Sequence, residues 1–414
     1  MNRRNFLKAL GAAGAGGLAL MTVPSLTKAD EPYEGPLLMT INALGGWDIS
    51  NFCDPKGNAM NERYDTGDIE TAGAMKYAPL DQNGAFFQRF HSDMLLINGI
   101  DMRTAGHSEA ARHVWSGEQA DNATPSIAAL FAATHLNGHN VPTPFISSGG
   151  FSRTGNLVPL TRLGSPDTLA SIGNHEHERG ILNQARYVED FALEEVYRAR
   201  LARHQAANPR ELPRHREQRS TLFAKQSSTP LLRGYRDYLP EVSNTLSPFQ
   251  TQVAISLACL KAGIGAAASV YVSDFDTHSD HEARHQVKLQ ELLETITFAV
   301  DRAAELGLSD RITFMITSEF SRTPEYGTNG GKDHWPTNSM LLLGPGIEGN
   351  RVIGATDDGL VPRNINLDTL ELSDDGERLY PGHIHTALRE HLGIADFGRD
   401  TGFDLRMRSV PLFT

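Results

Sequence analysis

The chain carries only two cysteines, Cys53 and Cys259, in 414 residues, too few for a disulfide framework. Cys259 sits in an apolar helical stretch and reads as a core residue. Basic surplus is missing too. The formal net charge is -12, and it becomes more negative once Arg3, Arg4, Lys8 and Lys28 leave with an N-terminal leader. No basic surplus then remains to neutralise a run of phosphates, which argues against a nucleic-acid partner. An anionic ligand stays open to such a chain only where local cations or a metal invert the field. Long hydrophobic runs are the third absence. The stretch from Ala9 to Val23 is broken by Gly11, Gly14, Gly16 and Gly17 and falls short of the ~20 residues that a spanning helix needs. No internal repeat is found. With 40% hydrophobic residues, the chain can nevertheless bury a large core as a soluble globular protein.

What the N-terminus does contain is Arg3-Arg4 followed by Asn5-Phe6-Leu7-Lys8, a weak apolar run and Thr27-Lys28-Ala29. This reads as a twin-arginine signal over residues 1–29, with the mature chain beginning near Asp30. An uncleaved membrane anchor is the alternative, and the short apolar length stands against it. The expected location is the periplasm or outside the cell. The twin-arginine translocase is a transient partner, and no stable membrane span remains after cleavage. That route carries folded proteins and is often used where a cofactor or metal must be chosen before export, so the rest of the chain is read for a metal site.

Short apolar runs read as buried strands at Leu37 to Ala43, Met94 to Asn98, Pro144 to Ser147, Ala267 to Val272, Ile312 to Thr317 and Met340 to Leu343. Helix-length patterns lie between them at Ser126 to Leu136, Pro248 to Ala262, His285 to Leu306 and His383 to Leu392. This alternation predicts an α/β fold in a single domain over residues 30–414: a doubly wound, largely parallel sheet with helices on both faces. The charged, helix-prone stretch near 176–233 reads as a helical insertion or lid, or else as a solvated helical face.

In open α/β sheets, ligands sit beyond the carboxyl ends of the strands, and three predicted strands end there in carboxylates. The first runs into Leu44-Gly45-Gly46-Trp47-Asp48, where paired glycines permit a tight turn. Another runs into Asp274-Phe275-Asp276-Thr277-His278-Ser279-Asp280-His281, and a third into Ser318-Glu319-Phe320-Ser321-Arg322-Thr323. A glycine-rich loop then reaches Lys332-Asp333-His334-Trp335. Carboxylate and imidazole at close spacing supply the anionic oxygen and neutral nitrogen that a divalent ion takes. If the second loop stays extended, Asp274, Asp276 and His278 share a face; if it turns after Asp276, Asp276 and His278 still meet at one ion. Asp48 alone also reads as a helix cap or turn former. His281 and His285, four apart, read as a structural pair at a helix start. His383 and His385, alternating with Ile384 at the start of a helix, read as capping it or lining the site rim, with the structural role favoured for His383. Trp47, Trp115 and Trp335 each adjoin a candidate residue, as an aromatic wall or as ordinary core.

The leader, Gly-Gly-Trp-Asp, Phe-Asp-Thr-His, Ser-Glu-Phe-Ser-Arg-Thr and Asp-His-Trp together resemble the bacterial exported family called domain of unknown function 1501, related to sulfatases and alkaline phosphatases. The resemblance spans essentially the whole mature chain. It implies an alkaline-phosphatase-like sheet with one or two divalent ions (Zn, Mn, Mg or Ca) at the strand ends. Asp48 then resembles the first-strand aspartate that touches metal, and Asp276 and His278 the later ligand pair. Asp274 and His278 fit the superfamily spacing of Asp, three residues, His somewhat better. Glu319 falls where relatives place an Asp, Phe320 where many carry a ligand His, and His334 at the final ligand histidine with Asp333 beside it. Phe320 therefore removes one expected nitrogen. Relatives carry a Ser, Thr or modified Cys nucleophile about nine residues before a Thr-Gly or Ser-Gly pair; counting back from Ser116-Gly117 lands on His107, with Ser108 the nearest hydroxyl. His107 is open to the roles of nucleophile, general acid/base or ligand, and Ser108 to nucleophile or helix cap.

Two functions follow as expectations. One is an exported metal-dependent hydrolase of phosphate or sulfate esters, in which Asp48, Asp276, His278, Glu319, Asp333 and His334 hold metal. His107, Ser108 or bound water attacks, and Arg112 or Arg322 stabilises the transferring group of an anionic ester. The other is a non-catalytic exported scaffold that keeps the sulfatase-like fold and binds a polymer or a partner protein.

Overall fold

The computed structural model describes residues 32–57, 60–136, 139, 141–163, 195–196, 198–200, 202–203, 234–240 and 245–413. The leader expected over residues 1–29 lies outside these residues, as does nearly all of the insertion expected near 176–233.

Twelve strands are present among the described residues. They are β1 (Leu37–Ala43), β2 (Glu70–Ala72), β3 (Met75–Tyr77), β4 (Met94–Asp101), β5 (Phe145–Ser147), β6 (Leu160–Arg162), β7 (Ala267–Val272), β8 (Ile312–Ser318), β9 (Ser321–Arg322), β10 (His334–Trp335), β11 (Thr337–Leu343) and β12 (Arg351–Ile353). The α-helices are α1 (Asn83–Phe90), α2 (His107–Ser116), α3 (Ile127–His135), α4 (Pro248–Lys261), α5 (His281–Glu305), α6 (Pro381–His391) and α7 (Ala395–Asp400). Eight strands form one sheet in the order β12-β4-β11-β8-β1-β7-β5-β6. All neighbours pair in parallel except β11, which runs antiparallel to both β4 and β8.

The sheet forms where it does because its central strands are apolar on both faces. Every residue of β1, β8 and β11 is buried, odd and even positions alike, which requires cover above and below. Helix α3 packs on β7, β1 and β5, α4 on β7, and α2 on β8 and α6. Their starts are written locally. Ser126 caps α3 by accepting from the Ala129 amide, and Ser247 and Gln250 close a capping box ahead of α4 with Pro248 in its first turn.

The chain departs from β1 towards β4 on one side and returns on the other as β5, β6 and β7, so β1 is the point where the winding reverses. Loops from β1, β7 and β8 therefore converge beyond one edge of the sheet, where an open α/β fold binds ligands. Because β11 runs backwards, the segment ahead of its first residue arrives at that same edge. No helix among the described residues is long and apolar enough to cross a membrane.

Candidate metal centre

Beyond β1 the chain turns through two glycines that no side chain could replace. Gly45 and Gly46 have φ of +119° and +92°, and a Cβ on Gly45 would stand 2.6 Å from the Asp276 amide nitrogen. A Cβ on Gly46 would meet the Phe320 ring at 2.4 Å. The turn is thus wedged between the loops that follow β7 and β8. Arg322 holds it from below: the side chain is fully buried, Nε donates to the Gly46 carbonyl at 2.8 Å, and Nη2 donates to the Gly45 carbonyl and to Asp276 Oδ1, the latter at 2.8 Å. This is a clamp on three loops, and it leaves Arg322 no face towards a transferring group. The residue expected at a transferring group thus sits in a buried position against backbone carbonyls and Asp276.

Above the clamp, Asp276 Oδ1, His278 Nε2 and His334 Nε2 form a triangle. Its edges are 3.0 Å from Asp276 to His278, 3.1 Å between the histidines and 3.2 Å from His334 to Asp276. His334 Nδ1 donates to the Ala105 carbonyl at 2.9 Å, which leaves Nε2 with its lone pair turned inwards. Asp333 lies beside the triangle, strongly exposed, with Oδ1 3.8 Å from His278 Nδ1. Partial burial pushes the Asp276 carboxyl upward, but Arg322, His334 and His278 outweigh it and hold its pKa below the usual range.

His107 completes the cluster as the first residue of α2. Its Nδ1 donates to Glu319 Oε1 at 3.1 Å, and its Nε2 stands 3.6 Å from Asp276 Oδ2. Glu319 is buried, and the same Oε1 accepts the Gly45 amide at 2.9 Å. That hydrogen bond, with the charges of Glu319 and Asp276, outweighs burial and raises the His107 pKa above 6.5. Phe320 packs under both rings, 4.9 Å from the His107 centroid and 4.5 Å from that of His334. The position where a nitrogen ligand was expected is therefore an apolar floor. Two groupings have donor atoms within 4.8 Å of one another: His107, Asp276 and His334, and His278, Asp333 and His334.

Other expected residues are placed elsewhere. Asp48 is fully buried beneath the clamp, where Lys332 Nζ donates to Oδ2 at 2.6 Å, His281 Nε2 lies 3.0 Å away and the Ser50 hydroxyl donates at 2.6 Å. Burial pushes this carboxyl upward, yet Lys332 and His281 leave it well below the usual range. It is the anion of a buried ion pair, not a member of the triangle. Glu319 likewise orients a histidine instead of facing the triangle. Asp274 adopts φ of +74° and turns out to Lys288, 3.7 Å away, so the Asp276 and His278 spacing is the one that meets. Arg112 gives Nε to the Gln119 carbonyl at 2.8 Å and lies 3.7 Å from Asp121, facing away from the cluster. Ser108 is exposed on the first turn of α2.

His281 and His285 stack at 4.9 Å, both fully buried, and His285 Nε2 accepts the Asp48 amide at 2.8 Å. His383 Nδ1 accepts the Tyr380 amide at 3.2 Å, and His385 Nε2 donates to the Val114 carbonyl at 2.8 Å; both are structural. Trp47 and Trp115 are core residues, whereas Trp335 is partly exposed and donates to the Leu360 carbonyl. Sequence reasoning missed Lys332, Phe320 as a floor and the Ala105 carbonyl. Only Lys332 gave a signal, as a cation between Gly-Gly and Asp-His.

The strand order and the Asp/His cluster beyond its carboxyl edge define a doubly wound α/β protein with a candidate metal centre. Residues 173–361 match the family model described as "Protein of unknown function (DUF1501)". A search of the curated proteins found no match. Solved structures similar to the chain include the alkaline phosphatase of the Antarctic bacterium TAB5, at 10% identity, covering 78% of this chain and 95% of that one with a TM-score of 0.33. The PsFucS1 sulfatase of Pseudoalteromonas sp. is 9% identical over 79% of this chain and 66% of its own, with a TM-score of 0.35. The phosphonate monoester hydrolase of Agrobacterium radiobacter is 13% identical over 86% and 74%, with a TM-score of 0.34. At that level the strand order, not the superposition, carries the assignment of the fold.

Proposed function

We propose that the protein is an exported, metal-dependent hydrolase of phosphate or sulfate esters. The observation that carries this reading is the triangle of Asp276 Oδ1, His278 Nε2 and His334 Nε2 with edges of 3.0, 3.1 and 3.2 Å. Ligand atoms ~2.1 Å from one ion stand about 3.0 to 3.4 Å apart at right-angled to tetrahedral geometry. The donor set fits chemically as well. Two imidazole nitrogens with one carboxylate favour Zn, then Mn, over Mg or Ca.

Asp276, His278 and His334 would hold the ion, with Asp333 beside them, and when bound it supplies Lewis-acid polarisation of an ester oxygen. Arg322 keeps Asp276 ionised and aimed. Glu319 fixes His107 with Nε2 outward, and Phe320 keeps water from the underside of both rings. The half-exposed histidines leave an open mouth suited to an anionic ester. Export to the periplasm or beyond through the twin-arginine translocase belongs to the same proposal and is supported by the Arg3-Arg4 leader.

Elemental analysis of the mature protein, purified without chelator or metal-affinity tag, tests the ligand assignment. About one equivalent of a divalent ion, lost in Asp276→Ala and His334→Ala, is expected, together with turnover of para-nitrophenyl phosphate or sulfate. A protein that binds no Zn, Mn, Mg or Ca overturns it. The competing reading, a non-catalytic scaffold for a polymer or partner protein, is favoured by one observation: Arg112 is engaged with the Gln119 carbonyl and Arg322 is buried against backbone carbonyls and Asp276, so neither guanidinium is free for an anionic group. Metal without turnover on any ester would support that reading.

A further inference from the structure

Each imidazole nitrogen at the mouth of the site has a partner except those that face outward. His334 spends Nδ1 on the Ala105 carbonyl and Nε2 on the triangle. His278 places Nε2 in the triangle and turns Nδ1 towards exposed Asp333. His107 differs from both. Its Nδ1 is pinned by a buried carboxylate that is itself fixed by the Gly45 amide, while Nε2 has no hydrogen-bond partner among the described residues and stands 3.6 Å from Asp276 Oδ2. A carboxylate on Nδ1 stabilises the cation that an imidazole becomes when Nε2 forms a new bond. The ring lies on Phe320, and 41% of the side chain is exposed. Gly106 gives α2 no side-chain cap, so its first-turn amides remain for an incoming anion. Ser108, the alternative nucleophile, is exposed and has no base within hydrogen-bond reach among the described residues.

We infer that His107 Nε2 is the nucleophile of this site and carries the phosphoryl group of a phosphate monoester as a covalent phosphohistidine. The inference rests on the hydrolase reading and deepens it. In the first step the Nε2 lone pair forms an N–P bond, the P–O bond to the alcohol breaks, and the departing alkoxide takes a proton from solvent. Glu319 stays on the Nδ1 proton throughout and balances the positive ring. In the second step water attacks phosphorus, the P–N bond breaks with its electron pair returning to Nε2, and inorganic phosphate leaves. Water is the sole co-reactant, and no electron is transferred. Glu319 is a positioning residue here, because it reaches the reacting atom only through the ring.

The test uses the mature, metal-loaded chain and an aryl phosphate monoester made chiral at phosphorus with oxygen isotopes. Two successive displacements retain configuration, and one inverts it. Retention is expected, together with a base-stable, acid-labile phosphoryl group on the peptide carrying His107 after an alkaline quench. His107→Asn should lose the adduct and at least about a hundredfold in kcat, yet keep its metal. Glu319→Gln should slow adduct formation through kcat with KM little changed. Inversion overturns the inference and leaves the hydrolase reading standing, and so does a His107→Asn variant that keeps near-normal turnover. Loss of metal in His107→Asn would make the residue a ligand and overturn its assignment as nucleophile. Turnover of sulfate esters alone also overturns it, and turnover of no ester overturns both.

Discussion

Replacing Lys332 by Met isolates what the buried ion pair contributes. Lys332 Nζ lies 2.6 Å from Asp48 Oδ2, and both side chains are 0% exposed. Met keeps the stem and removes the charge, so Asp48 is left to the Ser50 hydroxyl and His281. Removing one partner of a buried pair costs about 4 kcal/mol, because the other charge stays uncompensated. At about 2.1 cal/mol/K per residue, a chain of this size has an unfolding entropy of order 0.8 kcal/mol/K, so Tm should fall by about 5 °C. The pH dependence has a definite sign. In the native protein the Asp48 carboxyl lies well below its ordinary value, so its stabilisation is present above the unfolded pKa and is lost as pH falls through the folded one. In Lys332→Met, burial is left as the largest influence and the native carboxyl rises above its unfolded value. Stability then declines as pH rises through that new value, so the penalty is greatest near neutrality and shrinks towards pH 4. Adding Asp48→Asn to Lys332→Met should recover part of the loss. Calorimetry across pH reads all of this. A Tm within about 1 °C of the parent at neutral pH, or a double variant no better than the single, would refute the reasoning.

Three further outcomes are expected. Gly46→Ala forces a Cβ to within 2.4 Å of Phe320 at φ of +92°, and should cost about 2 kcal/mol or more in urea unfolding; an unchanged midpoint would show that the turn relaxes freely. Arg322→Met removes the donor that aims Asp276 and should weaken metal affinity by about 10- to 100-fold in chelator competition, whereas equal affinity would dissociate the clamp from the ion. Asp274→Asn should leave metal stoichiometry unchanged while Asp276→Asn reduces it, since only Asp276 Oδ1 meets His278 and His334; the reverse result would restore the spacing that the family resemblance favoured.

The central strands were legible because their apolar runs are uninterrupted: β1 and β7 begin and end where the runs do. Strands β6 and β12, three residues each, carry too little pattern to be seen. The direction of β11 is invisible in composition, since a fully buried strand reads the same either way. The convergence of carboxylates at one edge was legible from strand ends alone. The division of labour among them was not. Asp48 and Asp276 look alike in sequence, and what separates them is a lysine 284 positions from one and an arginine 46 positions from the other. The φ of Asp274 likewise decides between two spacings that the sequence leaves open. Arg112 and Arg322 were assigned by charge, but a guanidinium is directed by the carbonyls it finds, and those depend on tertiary packing.

The reversed strand β11 has a consequence for the order in which the molecule can be made. His278 follows β7 and His334 precedes β11, and β1 and β8 lie between those strands in the sheet. A nascent chain holds these ligands far apart until the last of the four central strands has been inserted between β4 and β8. On the proposed metal-binding reading, tight ion capture would thus be a late event that reports completion of the sheet. A chain halted before that insertion would present loose imidazoles with weak, unselective affinity, so a time-resolved zinc titration during refolding should rise in step with the final packing of the core and not with early collapse.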